Sequence, residues 1–217
     1  MLDSVFPTEL YERIIDYVGQ AVDSPTLRVC ALVSRTWYPR ARLHLVRSVR
    51  LVDRQEVLAF TNMIRGGHGP LGLTDARGMV ERLIVRGVES ESNQATAKGA
   101  EKKTRRSLVH LGTCAAMLAG RARLDNLTYL GIAEGDWRGL HPKIGMHLNA
   151  AFPRLRWLDL YNVQFLSTPD FGRFLCAFAC LQQASVWVPA RGQNATQNPS
   201  STPFDPAAFI DDKTNGM

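Results

Sequence analysis

Residues Gly67-His68-Gly69-Pro70-Leu71-Gly72 have the spacing at which a glycine-rich turn offers backbone N–H groups to a pyrophosphate. Pro70 removes one donor and prevents a helix from running through the turn, and the residues before it read as helix rather than strand, so no dinucleotide site is expected. Cys176 and Cys180 could share one helix face, but no second Cys/His pair stands at metal-ligand spacing to complete a zinc site. All four cysteines (Cys30, Cys114, Cys176, Cys180) read as buried thiols in a reducing compartment. His44, His68, His110, His141 and His147 have no nucleophile or carboxylate at a catalytic spacing, and neither a nucleophile elbow nor a phosphate loop is found. The basic run Lys102-Lys103-Thr104-Arg105-Arg106 reads as a solvated loop. The glycosylation triplets at Asn126 and Asn194 read as incidental. A protein that is not an enzyme and uses no cofactor or metal is the expectation.

What remains is binding, and charge says where. The 217 residues carry a net charge of +6. Residues 1–23 hold five acids (Asp3, Glu9, Glu12, Asp16, Asp23) against Arg13, while residues 24–50 hold six arginines (Arg28, Arg35, Arg40, Arg42, Arg47, Arg50) and no acid. A basic segment that local points to an acidic partner, either nucleic acid or an acidic protein. With 45% hydrophobic and 21% charged residues the composition is that of a folded chain. No apolar run nears the ~20 residues of a spanning helix. Asp3 and Pro7 stand where a secretory signal would be basic and then apolar, so a cytoplasmic and/or nuclear chain without a membrane partner is expected.

Three helices are expected before residue 50. Pro7 suits a first turn, Leu10, Tyr11, Ile14, Ile15 and Val18 form a wide apolar stripe, and Gly19 reads as the stop. Ser24-Pro25 reads as a cap and first turn for a second helix carrying Leu27, Cys30, Ala31 and Val33. The third spans roughly Ser34 to Leu45 with Trp37, Ala41 and Leu45 on one face, and Pro39 requires it to start near Tyr38 or to kink there. Three short helices cannot cover so much apolar surface among themselves, and a partner surface is the usual solution.

Phe6-Pro7-Thr8-Glu9-Leu10, then Ile14-Ile15-Asp16-Tyr17-Val18, then Val29-Cys30-Ala31-Leu32-Val33-Ser34-Arg35-Thr36-Trp37 resemble an F-box in order and separation. The match covers about Val5 to Val49; Phe6 replaces the usual leucine before proline, and Ser34 the usual cysteine before Arg35. Trp37-Tyr38-Pro39-Arg40-Ala41-Arg42 is further similar to F-box-like families abundant in fungi. The resemblance implies docking on the Skp adaptor and, through it, on a cullin. Carried over residue by residue, Pro7, Leu10, Ile14, Val33 and Trp37 would line or support that interface.

Beyond residue 45 an apolar triplet recurs: Val46-Val49-Leu51, Val80-Leu83-Val85, Leu127-Leu130-Ile132, Leu155-Leu158-Leu160 and, weakly, Leu181-Ala184-Val186. Leu155 to Phe165 resembles a leucine-rich repeat with Asn162 at its asparagine position. Helical patterns fill the gaps: an Asp53/Glu56 capping box ahead of Val57, Phe60 and Ile64; Ser107 ahead of Leu108, Leu111, Ala115 and Leu118, with Gly120 as stop; Pro142 ahead of Ile144 and Leu148; and Thr168-Pro169 ahead of Phe171, Phe174 and Phe178. Alternating strand and helix predicts parallel strands. The expected fold is therefore α+β/α/β. An N-terminal three-helix F-box (residues 1–50) precedes a short, irregular leucine-rich-repeat-like β/α solenoid (residues 51–189, with a loop insertion over 89–106) and a disordered tail (residues 190–217).

In such strands the triplet points inward and the intervening residues line the concave face. Arg82, Arg86, Tyr129, Trp157, Asp159, Tyr161 and Trp187 are the candidate substrate-binding residues, aromatics beside charge as at interface anchors. The combined expectation is the substrate-recognition subunit of a Skp–cullin–F-box ubiquitin ligase, recruiting a protein substrate. The alternative is a basic nucleic-acid-binding protein or an interaction scaffold working outside any ligase.

Overall fold

A computed structural model of the chain describes residues 7–21, 23–66, 76–89, 106–120 and 122–188. Residues 90–105, which hold nearly all of the expected loop insertion, and the expected tail from residue 190 lie outside the described residues, as does the glycine-rich run 67–72. The chain forms two compact units that divide between Val49 and Arg50.

The first unit contains α1 (Thr8–Gln20), α2 (Ser24–Val33) and α3 (Tyr38–Arg47). Pro7 precedes α1, and its carbonyl accepts the Leu10 N–H at 3.0 Å. The cap of α2 is Asp23 rather than Ser24: its carboxylate accepts the Thr26 N–H at 3.1 Å, and Ser24 is already helical. Proline at position 39 is tolerated because α3 starts at Tyr38, which leaves Pro39 in the first turn. Ile15, Leu27, Cys30 and Ala41 form the core, with Tyr11, Val18, Ala31, Trp37 and Leu45 packed around it. Helix α1 runs through Gly19, so the expected stop does not occur there. A side chain at Gly19 would place its Cβ 2.3 Å from His44 Nδ1, and the glycine makes room for that imidazole.

The second unit is mixed α/β, a curled open sheet with helices in its crossovers. Strand β1 (Ser48–Leu51) crosses the division between the units; β2 (Arg82–Arg86), β5 (Tyr129–Asp136), β6 (Trp157–Gln164) and β7 (Gln183–Trp187) follow, parallel and in register. Helices α4 (Arg54–Gly66), α5 (Ala76–Met79), α6 (Val109–Leu118), α7 (Ile144–Ala151) and α8 (Thr168–Cys176) lie between strands, and α4, α6, α7 and α8 pack in series. The helix starts are fixed locally. Asp53 accepts the Glu56 N–H at 2.8 Å while Glu56 reaches back to the Val52 N–H at 2.6 Å, and Ser167 Oγ accepts the Asp170 N–H at 3.3 Å. On the core face, Leu83 and Val85, Leu130 and Ile132, and Leu158 and Leu160 align across three strands and are fully buried. The same triplet positions on β7 are not covered: Ala184 and Val186 are exposed, because the helix row ends with α8 among the described residues.

Sequence periodicity misses β3 (Val88–Glu89) and β4 (Arg106–Ser107), a short antiparallel pair, in which β4 also runs parallel to β5 at Asp136. These residues bracket the expected loop insertion and are strand. Gly87 allows the chain to turn into this pair, since a Cβ there would lie 2.0 Å from the Glu134 carbonyl oxygen. The β5–β6 register is interrupted between Ala133↔Tyr161 and Gly135↔Val163, where Glu134 and Asn162 both adopt positive φ, 54° and 50°. This left-handed step resets the side-chain alternation, so that Gly135 abuts the buried Leu108. Asn162 thus serves the strand as a residue that tolerates a left-handed backbone, one position short of the repeat asparagine counted from Leu155.

Candidate interaction surfaces

The wide stripe of α1 is two stripes. Tyr11, Ile15 and Val18 turn inward, and Ile15 is completely buried. Leu10, Ile14 and Tyr17, at i, i+4 and i+7, turn outward and are 45%, 49% and 75% exposed. Helix α2 divides in the same way: Leu27 and Cys30 are sealed, whereas Val29, Leu32 and Val33 are exposed. Val33 therefore does not share the face of Leu27, Cys30 and Ala31. Of the adaptor candidates, Pro7, Leu10, Ile14 and Val33 lie on the surface. Trp37 is a half-buried member of the core cluster, its ring stacked on Tyr11 at 5.9 Å, and can only support the surface. Tyr17, Val29 and Leu32 lie within the segments that resemble an F-box but are not among the adaptor candidates, although the i+7 spacing from Leu10 marks the first of them.

The stripe is held in place by an ion cluster. Asp16 accepts two hydrogen bonds from Arg40, at 2.7 and 2.6 Å, and one from His44 Nε2 at 2.8 Å, which clamps α1 to α3. The Arg40 guanidinium, and then His44, hold the Asp16 carboxyl well below the usual carboxylate range. Arg42 is also engaged, donating to Tyr38 Oη at 2.9 Å. The arginine run is therefore partly internal wiring, and Arg28, Arg35 and Arg47 are its exposed members.

On the open face of the sheet, register brings the substrate candidates into rows: Arg82, Tyr129 and Trp157 across β2, β5 and β6, with Gln183 on β7, and Tyr161 beside Trp187. The interior of this face is closed by its own contacts. Tyr129 Oη donates to Asp159 Oδ2 at 2.8 Å, the Arg82 guanidinium lies 4.4 Å over the Tyr129 ring, and Asp159 is only 6% exposed. Burial and the neighbouring Asp159 carboxylate push the Tyr129 phenol well above its usual range, so it stays a proton donor. Arg86 is committed to Glu134 at 2.9 Å, and Glu134 also binds Arg106. Tyr161 and Trp187 are half-buried, while Trp157 is 40% exposed.

Two of the four thiols depart from the buried reading. Cys30 and Cys114 are buried, but Cys176 ends α8 and Cys180 lies in the turn after it, both exposed. No helix among the described residues is long and apolar enough to cross a membrane. No protein-family model, no curated protein and no solved structure matches this chain.

Proposed function

We propose that the chain is a substrate receptor of a Skp–cullin–F-box type ubiquitin ligase. In this reading the first unit is an F-box that docks on the Skp adaptor, and the second is a leucine-rich-repeat-like array that selects a protein substrate. One observation carries it: after the first unit has built its core from Ile15, Leu27, Cys30 and Ala41, Leu10, Ile14 and Tyr17 on α1 and Val29, Leu32 and Val33 on α2 are left facing solvent. Among the described residues, half of the exposed large apolar side chains, seven of fourteen, fall in the first unit (these six and Leu43). A surplus of this kind is what a docking face needs and a self-contained helical cap does not. The contribution to catalysis is positioning: a substrate held on the array meets the transferred ubiquitin at high effective concentration.

Titration of the full chain with purified Skp adaptor tests the proposal. Binding is expected at or below about 1 μM and to survive about 0.5 M salt, because apolar burial is little screened. Leu10→Asp with Ile14→Asp should abolish it. No binding at about 50 μM overturns the adaptor reading. Binding that instead tracks phosphate charge, through Arg28 and Arg35, and falls steeply with salt would favour nucleic acid. On the array, Trp157→Ala together with Tyr161→Ala should remove substrate capture while leaving adaptor binding intact.

A further inference from the structure

A cleft of about 460 Å³ opens between the 3-10 turn Trp137–Gly139, α7 and α8, entirely within the second unit and on none of the surfaces above. Its volume falls within the ~300–1,000 Å³ of ligand clefts. The floor is preformed. Trp137 and Phe174 are buried with ring centroids 4.4 Å apart, Phe165 stacks on Trp137 at 5.0 Å, and Phe178 closes edge-on against Phe174 at 5.2 Å. The two helices are pinned at Gly145, where a Cβ would come within 2.9 Å of Ala177 Cβ. The lips are apolar and open: Met146 is 66% and Leu166 69% exposed. Around them stand Arg138, Lys143 and Arg173 against Asp170 among the lining residues, while Asp136, outside the lining, lies 3.6 Å from Arg138, which leaves an excess of one cation. Asp170 is already bound by Arg173 and Ser167, and Lys143 has no ion pair among the described residues.

We propose that this cleft binds a short acidic amphipathic helix from a partner protein, with apolar side chains of one helix face on Trp137 and Phe174 and carboxylates of its flank on Lys143, Arg138 and Arg173. Two observations select this occupant. A small molecule filling the floor would leave Met146 and Leu166 in water, whereas a helix laid along the cleft covers both. The excess of rim cations selects for carboxylates and against a basic segment. The inference goes beyond the receptor reading and does not depend on it.

The test uses the full chain and a fluorescein-labelled peptide of about four helical turns, with leucines at i, i+3, i+4 and i+7 and glutamates elsewhere, beside a twin with every glutamate replaced by lysine. Fluorescence anisotropy should give a Kd of about 10–100 μM for the acidic peptide and at least ~10-fold weaker binding for the twin. Met146→Glu, and independently Leu166→Gln on the exposed loop, should weaken the acidic peptide by at least ~10-fold and ~3-fold with unchanged circular dichroism. Lys143→Glu with Arg173→Glu should reverse the preference between the twins. Equal binding of the twins, acidic-peptide binding indifferent to Met146 and Leu166, or no binding at about 500 μM overturns the proposal. Self-association that Met146→Glu abolishes, without peptide binding, does so too and identifies a second copy as the occupant. Loss of adaptor binding with the peptide still bound would remove the receptor reading and leave this one standing.

Discussion

Ile14 and Ile15 are neighbours on one helix, and their fates should be opposite. Ile15 is fully buried beside Leu27, Cys30 and Ala41, so Ile15→Ala costs the ~2–5 kcal/mol of a buried aliphatic truncation. A unit of this size holds only about 2–7 kcal/mol at ~0.05–0.15 kcal/mol per residue, so the variant should melt the first unit or nearly so. Ile15→Val, at ~0.5–1.5 kcal/mol, serves as the folded control. Ile14 is 49% exposed in the isolated chain, which leaves about half of the ~1.5–3 kcal/mol of full burial for a partner to collect. Ile14→Ala should therefore leave the unit's stability within ~0.5 kcal/mol and weaken adaptor binding about fivefold. Ile14→Asp, which would bury a carboxylate under the adaptor, should weaken it by at least ~100-fold. Hydrogen exchange at the α1–α3 amides reads stability in the intact chain, and calorimetric titration with the adaptor reads affinity. The reasoning fails if Ile14→Ala loosens exchange as much as Ile15→Ala does, or if Ile14→Asp changes the adaptor Kd less than twofold.

Gly87→Ala should destabilise the second unit by about 3 kcal/mol in chemical denaturation, since its Cβ would enter the Glu134 carbonyl oxygen and backbone cannot step aside; wild-type stability would show that β2 and β5 separate freely there. His110 is buried on α6, with Nε2 unpartnered among the described residues and its pKa pushed down by burial against a hydrogen bond to the Arg86 backbone. Its folded pKa lies below the unfolded value of about 6.5, so the unfolded chain takes up a proton first and stability falls as pH drops below about 6.5; His110→Leu should flatten that part of the stability–pH curve. Burial pushes the Cys114 thiol up to about 12, so native protein titrated with a disulfide reagent should show Cys176 and Cys180 reacting fast, with Cys30 and Cys114 reacting only on unfolding.

The strands were legible because each apolar triplet joins a period-two core face to the residue that enters it, and Leu83 with Val85, Leu130 with Ile132 and Leu158 with Leu160 all occupy that face. Helix starts were legible where proline or a short acceptor side chain marks a first turn, as at Pro39, Asp53 and Thr168-Pro169. The division of α1 was not. Leu10 and Tyr11, and Ile14 and Ile15, are pairs one residue apart, about 100° around the helix, and hydrophobicity alone cannot tell which member of each pair the other helices will cover. Two-residue strands such as β3 and β4 carry no period to detect. The helical cleft was equally invisible, since its floor and lips come from a 3-10 turn, a loop and two helices that sequence spacing does not relate.

The open face of the sheet shows why register is not the same as availability. Period two places Arg82, Tyr129, Asp159 and Arg86 on one surface, yet each binds a neighbour on that surface: the phenol binds the carboxylate, Arg82 covers the phenol ring, and Glu134 takes Arg86. Glu134 can do so because its positive φ turns the strand where its side chain meets both Arg86 and Arg106. Under the receptor reading this wired centre is a rigid floor, and selectivity is concentrated at the corner where Trp157 rises beside Gln183. Breaking the floor should therefore blur substrate choice indirectly: Tyr129→Phe leaves Asp159 without its donor, a loss of ~1–3 kcal/mol, and should weaken capture less than Trp157→Ala does while lowering the melting temperature more. The opposite ranking in paired binding and thermal-melt measurements would make Tyr129 itself the contact.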